Sequence, residues 1–227
     1  MSAAALWVLV PLKNLDRAKE RLAGVLAPRA RRELVAAMAR DVLAALLAVP
    51  LAPGRIVLVS DDDAVQALAH EVGVALFRPG PAPRDPLNSA LAEATRFVAG
   101  RGAGELLVLH ADLPCATAAE LRALITTHHE LPADGGGARV TLVSDRAGSG
   151  TNCLLSTPPG ALAYRFGADS RRLHREAAAA AGVAYGEFAG AGLGRDVDQP
   201  EELTELVAVC ESAENVCGKH TARLLAS

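Results

Sequence analysis

The sequence predicts an α/β fold, a mostly parallel central sheet with helices on both faces. Three observations predict it. Apolar runs of strand length recur along the chain, segments of helical periodicity lie between them, and the Gly- and Pro-rich breaks are loop-sized rather than linker-sized. Strand–helix alternation of this kind pairs its strands in parallel, with helices crossing over the sheet.

The strand-like runs are Leu6–Val10, Arg55–Ser60, Glu105–His110, Arg139–Val143 and Asn152–Ser156. The first helix begins at Pro28, a residue suited to a first helical position, and repeats Leu34, Val35, Met38, Val42, Leu46 and Val49 at helical spacing. The second, Asp61 to Val72, opens on three aspartates that favour a helix N-terminus. Four more follow: Pro86 to Ala99, Ala116 to His129, Asp169 to Ala181 and Gln199 to Val209. The breaks at Arg78–Pro86 and Ala133–Gly137 are short, so residues 1–209 read as one domain. The tail, 210–227, has weak periodicity and reads as frayed or partly helical.

Composition narrows the class. Apolar residues make up 51% and charged residues 22%, which marks a globular chain. The net charge is −3 and aromatics are 3%, leaving neither the basic block nor the stacking platform of a nucleic-acid binder. The longest apolar stretch, Leu34 to Val49, is broken by Arg40 and Asp41, against a membrane span. No basic segment precedes the first apolar run, against a signal peptide. Cys115, Cys153, Cys210 and Cys217 show no CxxC spacing and read as reduced cysteines of a cytoplasmic protein.

The candidate site residues start behind the first strand. The chain has three lysines against twenty arginines, and two of the three, Lys13 and Lys19, fall with Arg21 in one loop there. An ammonium is a compact charge suited to a polyphosphate that moves during reaction, and open α/β sheets bind ligands at the carboxyl ends of their strands. The plainer alternative is a solvated basic loop.

Asp112 follows the run Leu106–His110 within HADLP. It either caps the next helix or holds Mg²⁺ beside phosphates, and Thr117 is better placed to cap. Asp196 and Asp198 lie in GRDVDQPEEL. On extended backbone they share a face, about 6.6 Å apart, and repel unless a cation lies between them. Asp198 can also cap the helix at Pro200; Asp196 has no such role.

DRAGSGTN (Asp145 to Asn152) offers glycines for close backbone approach and the Thr151 hydroxyl, or is simply a hairpin turn. FGADS places Gly167 and Ser170 at a helix start, which either binds an anion or is N-capped by Asp169 or Ser170. Asn88, in DPLNSAL, either sits at a helix N-terminus alone or faces a nucleobase or ribose. His174 lies inside a helix, a poor place for a general base.

In order, VPLKNLDRAKERL, RDVLAAL, DPLNSAL, HADLP, DRAGSGTN, FGADS and DVDQPEEL resemble the guanylyltransferases of coenzyme F420 biosynthesis, from about Leu6 to Leu206. Gln199 and Glu202 stand where that family more often has Thr and Asp. The resemblance implies a single-domain Rossmann-like nucleotidyltransferase fold of the glycosyltransferase-A type. It implies one or two Mg²⁺ ions at Asp112, Asp196 and Asp198. It implies acceptor contacts at Thr151, Gly167 and Ser170, and nucleotide contacts at Lys13, Lys19, Arg21 and Asn88.

The implied reaction joins GTP and phosphoenolpyruvate into enolpyruvyl-diphospho-5'-guanosine and pyrophosphate, with handover to the pathway's next transferase. 2-Phospho-L-lactate and 3-phosphoglycerate are alternative acceptors. Other small-molecule nucleotidyltransferases usually carry a glycine-rich first loop, whereas this one has no glycine before Gly24. No GxGxxG follows the first strand, against a dehydrogenase. A nucleotide-binding partner protein without turnover has less need of three such aspartates.

Overall fold

The computed structural model describes residues 5–12, 15, 19–82, 84–132, 137–212 and 216–226. Seven strands form one sheet: β1 (Leu6–Pro11), β2 (Ile56–Val59), β3 (Ala75–Phe77), β4 (Glu105–Leu109), β5 (Arg139–Val143), β6 (Cys153–Thr157) and β7 (Ala184–Glu187). The order is β3-β2-β1-β4-β6-β5-β7. Among the described residues seven α-helices accompany it: α1 (Pro28–Leu47), α2 (Asp63–Val72), α3 (Pro86–Ala99), α4 (Ala118–Glu130), α5 (Ser170–Ala181), α6 (Pro200–Glu211) and α7 (Lys219–Leu225).

Period-2 alternation splits the core into two layers. Val8 and Val10 of β1, Ile56 and Leu58 of β2, and Leu107 and Leu109 of β4 pack with α1, α2, α4 and α6. Leu9, Val57, Leu106 and Val108 point the other way, onto Leu91 and Val98 of α3 and Ala178 of α5. Both faces of these strands are covered, which is why they read as continuous apolar runs. Among the described residues no helix is long and apolar enough to cross a membrane.

The expectation of parallel pairing holds except at β6, which is antiparallel to both β4 and β5. The chain between Val143 and Cys153 is too short for a parallel crossover, so it turns back. The consequence is functional. The start of β6 lies beside the end of β4, with Cys153 opposite Leu109 and His110 N–H bonded to Asn152 O at 3.1 Å. DRAGSGTN is thereby brought to HADLP.

One expectation is corrected. Cys210 and Cys217 are joined as a disulfide, while Cys115 and Cys153 are free and buried. The end of α6 and the approach to α7 place their Cα atoms 5.3 Å apart, which spacing in sequence does not announce. The tail also carries a docked helix. Buried Asp41 of α1 accepts from the backbone N–H of His220 (2.9 Å) and Thr221 (2.8 Å), and so caps α7. Gly218 fits against that carboxylate, where any Cβ would clash, and its N–H donates to Pro114 O at 2.8 Å. Asp41→Ala is therefore expected to cost about 2 kcal/mol in urea unfolding, by exposing buried donors. An unchanged midpoint would show that the tail contributes no stability.

Candidate active site

The carboxyl ends of β1 and β4 and the β5–β6 loop border a cavity of about 540 Å³. Lys19, Arg21, Asp112, Thr151, Gly167, Ser170, Asp196 and Asp198 all line it. Five segments distant in sequence do not converge by accident on the edge where parallel sheets bind ligands; the topology collects them. Lys13 lies outside the described residues.

The acids are held by the local chain. β4 delivers Asp112 two residues beyond His110, and Thr117, not Asp112, caps α4 by accepting from Glu120 N–H at 3.2 Å. Buried Val197 anchors its segment in the core between Asp196 and Asp198, so both carboxylates face the cavity. Asp198 does not cap α6; Gln199 is its N-cap, in a capping box with Glu202, which accepts from the N–H groups of Asp198 (2.6 Å) and Gln199 (2.7 Å). Asp196 accepts from Asn152 Nδ2 at 3.2 Å.

One cation ties two of these acids together. Lys19, 8% exposed along its side chain, donates to Asp112 Oδ2 and lies 3.2 Å from Asp198 Oδ1. Arg21 adds a 2.6 Å contact to Asp198 Oδ2. Burial opposes ionisation of Asp112, but the Lys19 ammonium, with His110 and a backbone hydrogen bond, holds the carboxyl below its ordinary value. Lys19 is raised despite its own burial, by Asp112 and Asp198. Asp196 is raised, first by burial and further by the charge of Asp112, against the hydrogen bond from Asn152. The acid group thus draws on positive charge that Lys19 supplies in part.

Among the described residues no three acidic, His or Cys side chains form a ready metal centre. Mg²⁺ usually needs one or two protein carboxylates, its other ligands being water and phosphate. The donor set here is all oxygen, and Asp112 Oδ1 is buried without a hydrogen-bond partner. Asp112 and Asp198, now bridged by an ammonium, suit a divalent ion; Asp196 does so once released from Asn152.

The surroundings of Thr151, Gly167 and Ser170 are shaped by backbone. Gly167 has φ 129°, which side-chain-bearing residues rarely adopt. Neither Asp169 nor Ser170 caps α5 with a side chain bonded to its first N–H groups. Asp145 accepts from the N–H of Ser149 (2.9 Å) and Gly150 (2.8 Å), and a Cβ at Gly150 would strike its carboxylate. The non-glycine residues with positive φ among those described, Lys19, Asp85 and Asp169, all flank this region. Backbone held in a sparsely populated conformation is characteristic of ligand-binding sites.

Asn88 does not line the cavity. Its Oδ1 accepts from Phe166 N–H at 2.9 Å and its Nδ2 donates to Phe166 O at 3.0 Å, a clamp on the chain just before Gly167. Asp85 orients that amide from the other side, at 2.8 Å. Sequence reasoning missed Asp145 and Asn152 as site-shaping residues. Their place at the ends of DRAGSGTN was the available signal.

Fold and site together define a nucleotidyltransferase. Solved structures agree on the fold. A Desulfovibrio desulfuricans protein provisionally assigned as a nucleotide-diphospho-sugar transferase superposes with a TM-score of 0.74 at 13% identity, covering 97% of this chain and 96% of that one. A cytidylyltransferase from Leptospira borgpetersenii gives 0.60 at 11% identity, covering 98% and 93%. The chain belongs to the family described as "Guanylyl transferase CofC like", whose pattern matches residues 6–216. Relatives named phosphoenolpyruvate guanylyltransferase include one from Rubrobacter xylanophilus, 39% identical over 90% of this chain and 94% of its own length. Another, from Nocardia farcinica, is 40% identical over 91% and 87%.

Proposed function

We propose that this chain transfers GMP from GTP to phosphoenolpyruvate, giving enolpyruvyl-diphospho-5'-guanosine and pyrophosphate, as a cytoplasmic step of coenzyme F420 biosynthesis. The observation that carries the reading is the one cavity in which a lysine-bridged acid pair and the Thr151–Gly167–Ser170 cradle stand together. Family membership and the names of the relatives support the substrates.

An oxygen of the phosphoenolpyruvate phosphate forms a bond to the α-phosphorus of GTP, and the bond from that phosphorus to the β-phosphate oxygen breaks, releasing pyrophosphate. The nucleophile is already anionic at neutral pH, so no general base is needed. The barrier is mutual repulsion: two unit charges 4 Å apart repel by about 4 kcal/mol at an effective dielectric near 20, and several pairs are involved. Lys19 and Arg21 would bind the triphosphate, and Thr151, Gly167 and Ser170 would orient the acceptor. Asp112 and Asp198, with Asp196, would hold Mg²⁺, which when bound supplies charge neutralisation between the polyanions and on the leaving pyrophosphate.

The test is a pyrophosphate-release panel crossing four nucleoside triphosphates with phosphoenolpyruvate, 2-phospho-L-lactate and 3-phosphoglycerate. GTP with phosphoenolpyruvate is expected to be fastest. A faster rate with another acid reassigns the acceptor. Tight GTP binding with no pyrophosphate from any acid would identify a binding protein instead.

A further inference from the structure

His174, on α5 and fully buried, has no part in the chemistry above, yet both of its ring nitrogens are engaged. The backbone N–H of Arg165 donates to Nε2 at 3.0 Å. A neutral imidazole has one accepting nitrogen and one N–H, so this donor assigns the hydrogen to Nδ1. Burial pushes the ring's pKa down to about 4, which keeps it neutral at working pH. Nδ1 lies 3.2 Å from Thr151 Oγ1. A protonated Nδ1 cannot accept from that hydroxyl. The Nδ1 hydrogen faces both the Ser170 backbone carbonyl and Thr151 Oγ1, so the ring takes up no hydrogen from Thr151, whose own hydrogen is left for something else. Thr151 is itself 5% exposed and lines the cavity.

We infer that His174 is a positioning residue that sets the Thr151 hydroxyl as a hydrogen-bond donor toward the anionic acceptor, through the tautomer imposed by the Arg165 backbone. A free threonine hydroxyl donates or accepts, whereas a phosphate or carboxylate only accepts. Fixing the polarity in advance removes a reorientation from binding and favours an anion over a neutral alcohol. The same ring meets Phe166 edge-on, with centroids 5.1 Å apart, so it also braces the segment that Asn88 clamps before Gly167. The inference rests on the proposed acceptor site, and its test separates the two.

Nitrogen-15 NMR of the histidine ring in the intact protein is expected to show the hydrogen on Nδ1; a hydrogen on Nε2 overturns the inference. Pyrophosphate release is then measured for Thr151→Val, His174→Phe and the double variant. Each single change is expected to raise the KM for phosphoenolpyruvate about tenfold while leaving the KM for GTP nearly unchanged. Because His174 acts through the hydroxyl, the double variant should resemble Thr151→Val alone. His174→Asn, whose amide can donate from near the Nδ1 position, should recover part of the loss. If His174→Phe fails to fold, His174→Gln takes its place in the cycle. Multiplicative effects, or equal rises in both KM values with a lower melting temperature, overturn the inference while the proposed function stands. A wild-type enzyme inactive with every acid overturns the proposed function first and this inference with it.

Discussion

Asp112→Asn is expected to lower pyrophosphate release by a hundred- to a thousandfold, the scale lost when one preorganised electrostatic partner of a reacting group is removed. The change is nearly isosteric, so shape is kept and charge is lost. Asp112 is the carboxylate closest to the Lys19 ammonium and is kept ionised by it against burial. Its Oδ1 is buried with no hydrogen-bond partner, so the side chain has an acceptor site that the protein itself leaves unused. An amide there offers one oxygen and no charge to a divalent ion. The loss should fall on kcat at saturating GTP and phosphoenolpyruvate, because the phosphate binding proposed for Arg21 and Gly167 does not pass through Asp112. Asp198→Asn should show a smaller loss, since Asp198 is more exposed and already shares its charge with Arg21. Near wild-type turnover in both variants, with Mg²⁺ as the only metal present, would end the metal assignment.

The legible parts of this molecule were those whose cause is local. β1, β4 and β5 show in the sequence because strands buried on both faces must be apolar throughout, and α3 begins where Pro86 fixes a helical first turn. β3 and β7 did not show. They are short edge strands, half-buried along most of their length: β3 is apolar but only three residues long, Ala75–Phe77, and β7, Ala184–Glu187, carries no continuous apolar run. The reversal of β6 was legible only through the hairpin alternative for DRAGSGTN, and it is explained by the length of that loop.

At the site, residue types at strand ends pointed to Asp112 and Asp198. Asn88 was harder. An asparagine at a helix start looks the same whether it meets a ligand or a neighbouring backbone, and only the fold shows that Phe166, 78 residues away, occupies both ends of its amide. Asp41 likewise sits in a helix whose periodicity makes it an anomaly, until α7 arrives from the far end of the chain to use it.

Lys19→Met should have the largest effect on stability, and its sign should depend on the metal. Lys19 holds an αL backbone conformation, φ 55°, that costs a lysine about 1 kcal/mol or more and is kept because the side chain is fixed between two acids. Replacing the ammonium by a thioether preserves the apolar stem and leaves Asp112 without its counter-charge. Breaking a buried pair from one side costs about 3 kcal/mol, or roughly 6–12 °C in melting temperature for a chain of this size. That is the expectation in a metal chelator. Asp112 is held low and Lys19 high, so the pair contributes across the whole interval between the ordinary carboxylate and ammonium ranges. The difference between wild type and variant should therefore be flat through neutral pH and shrink at both ends, as acid protonates Asp112 and as alkali deprotonates Lys19. Added Mg²⁺ should reverse the order of response, stabilising the variant more than the wild type, because in the wild type a divalent ion must first displace the ammonium. Melting curves of both proteins in chelator and in Mg²⁺ read this directly. Equal gains from Mg²⁺ would mean that Lys19 does not stand where the metal binds.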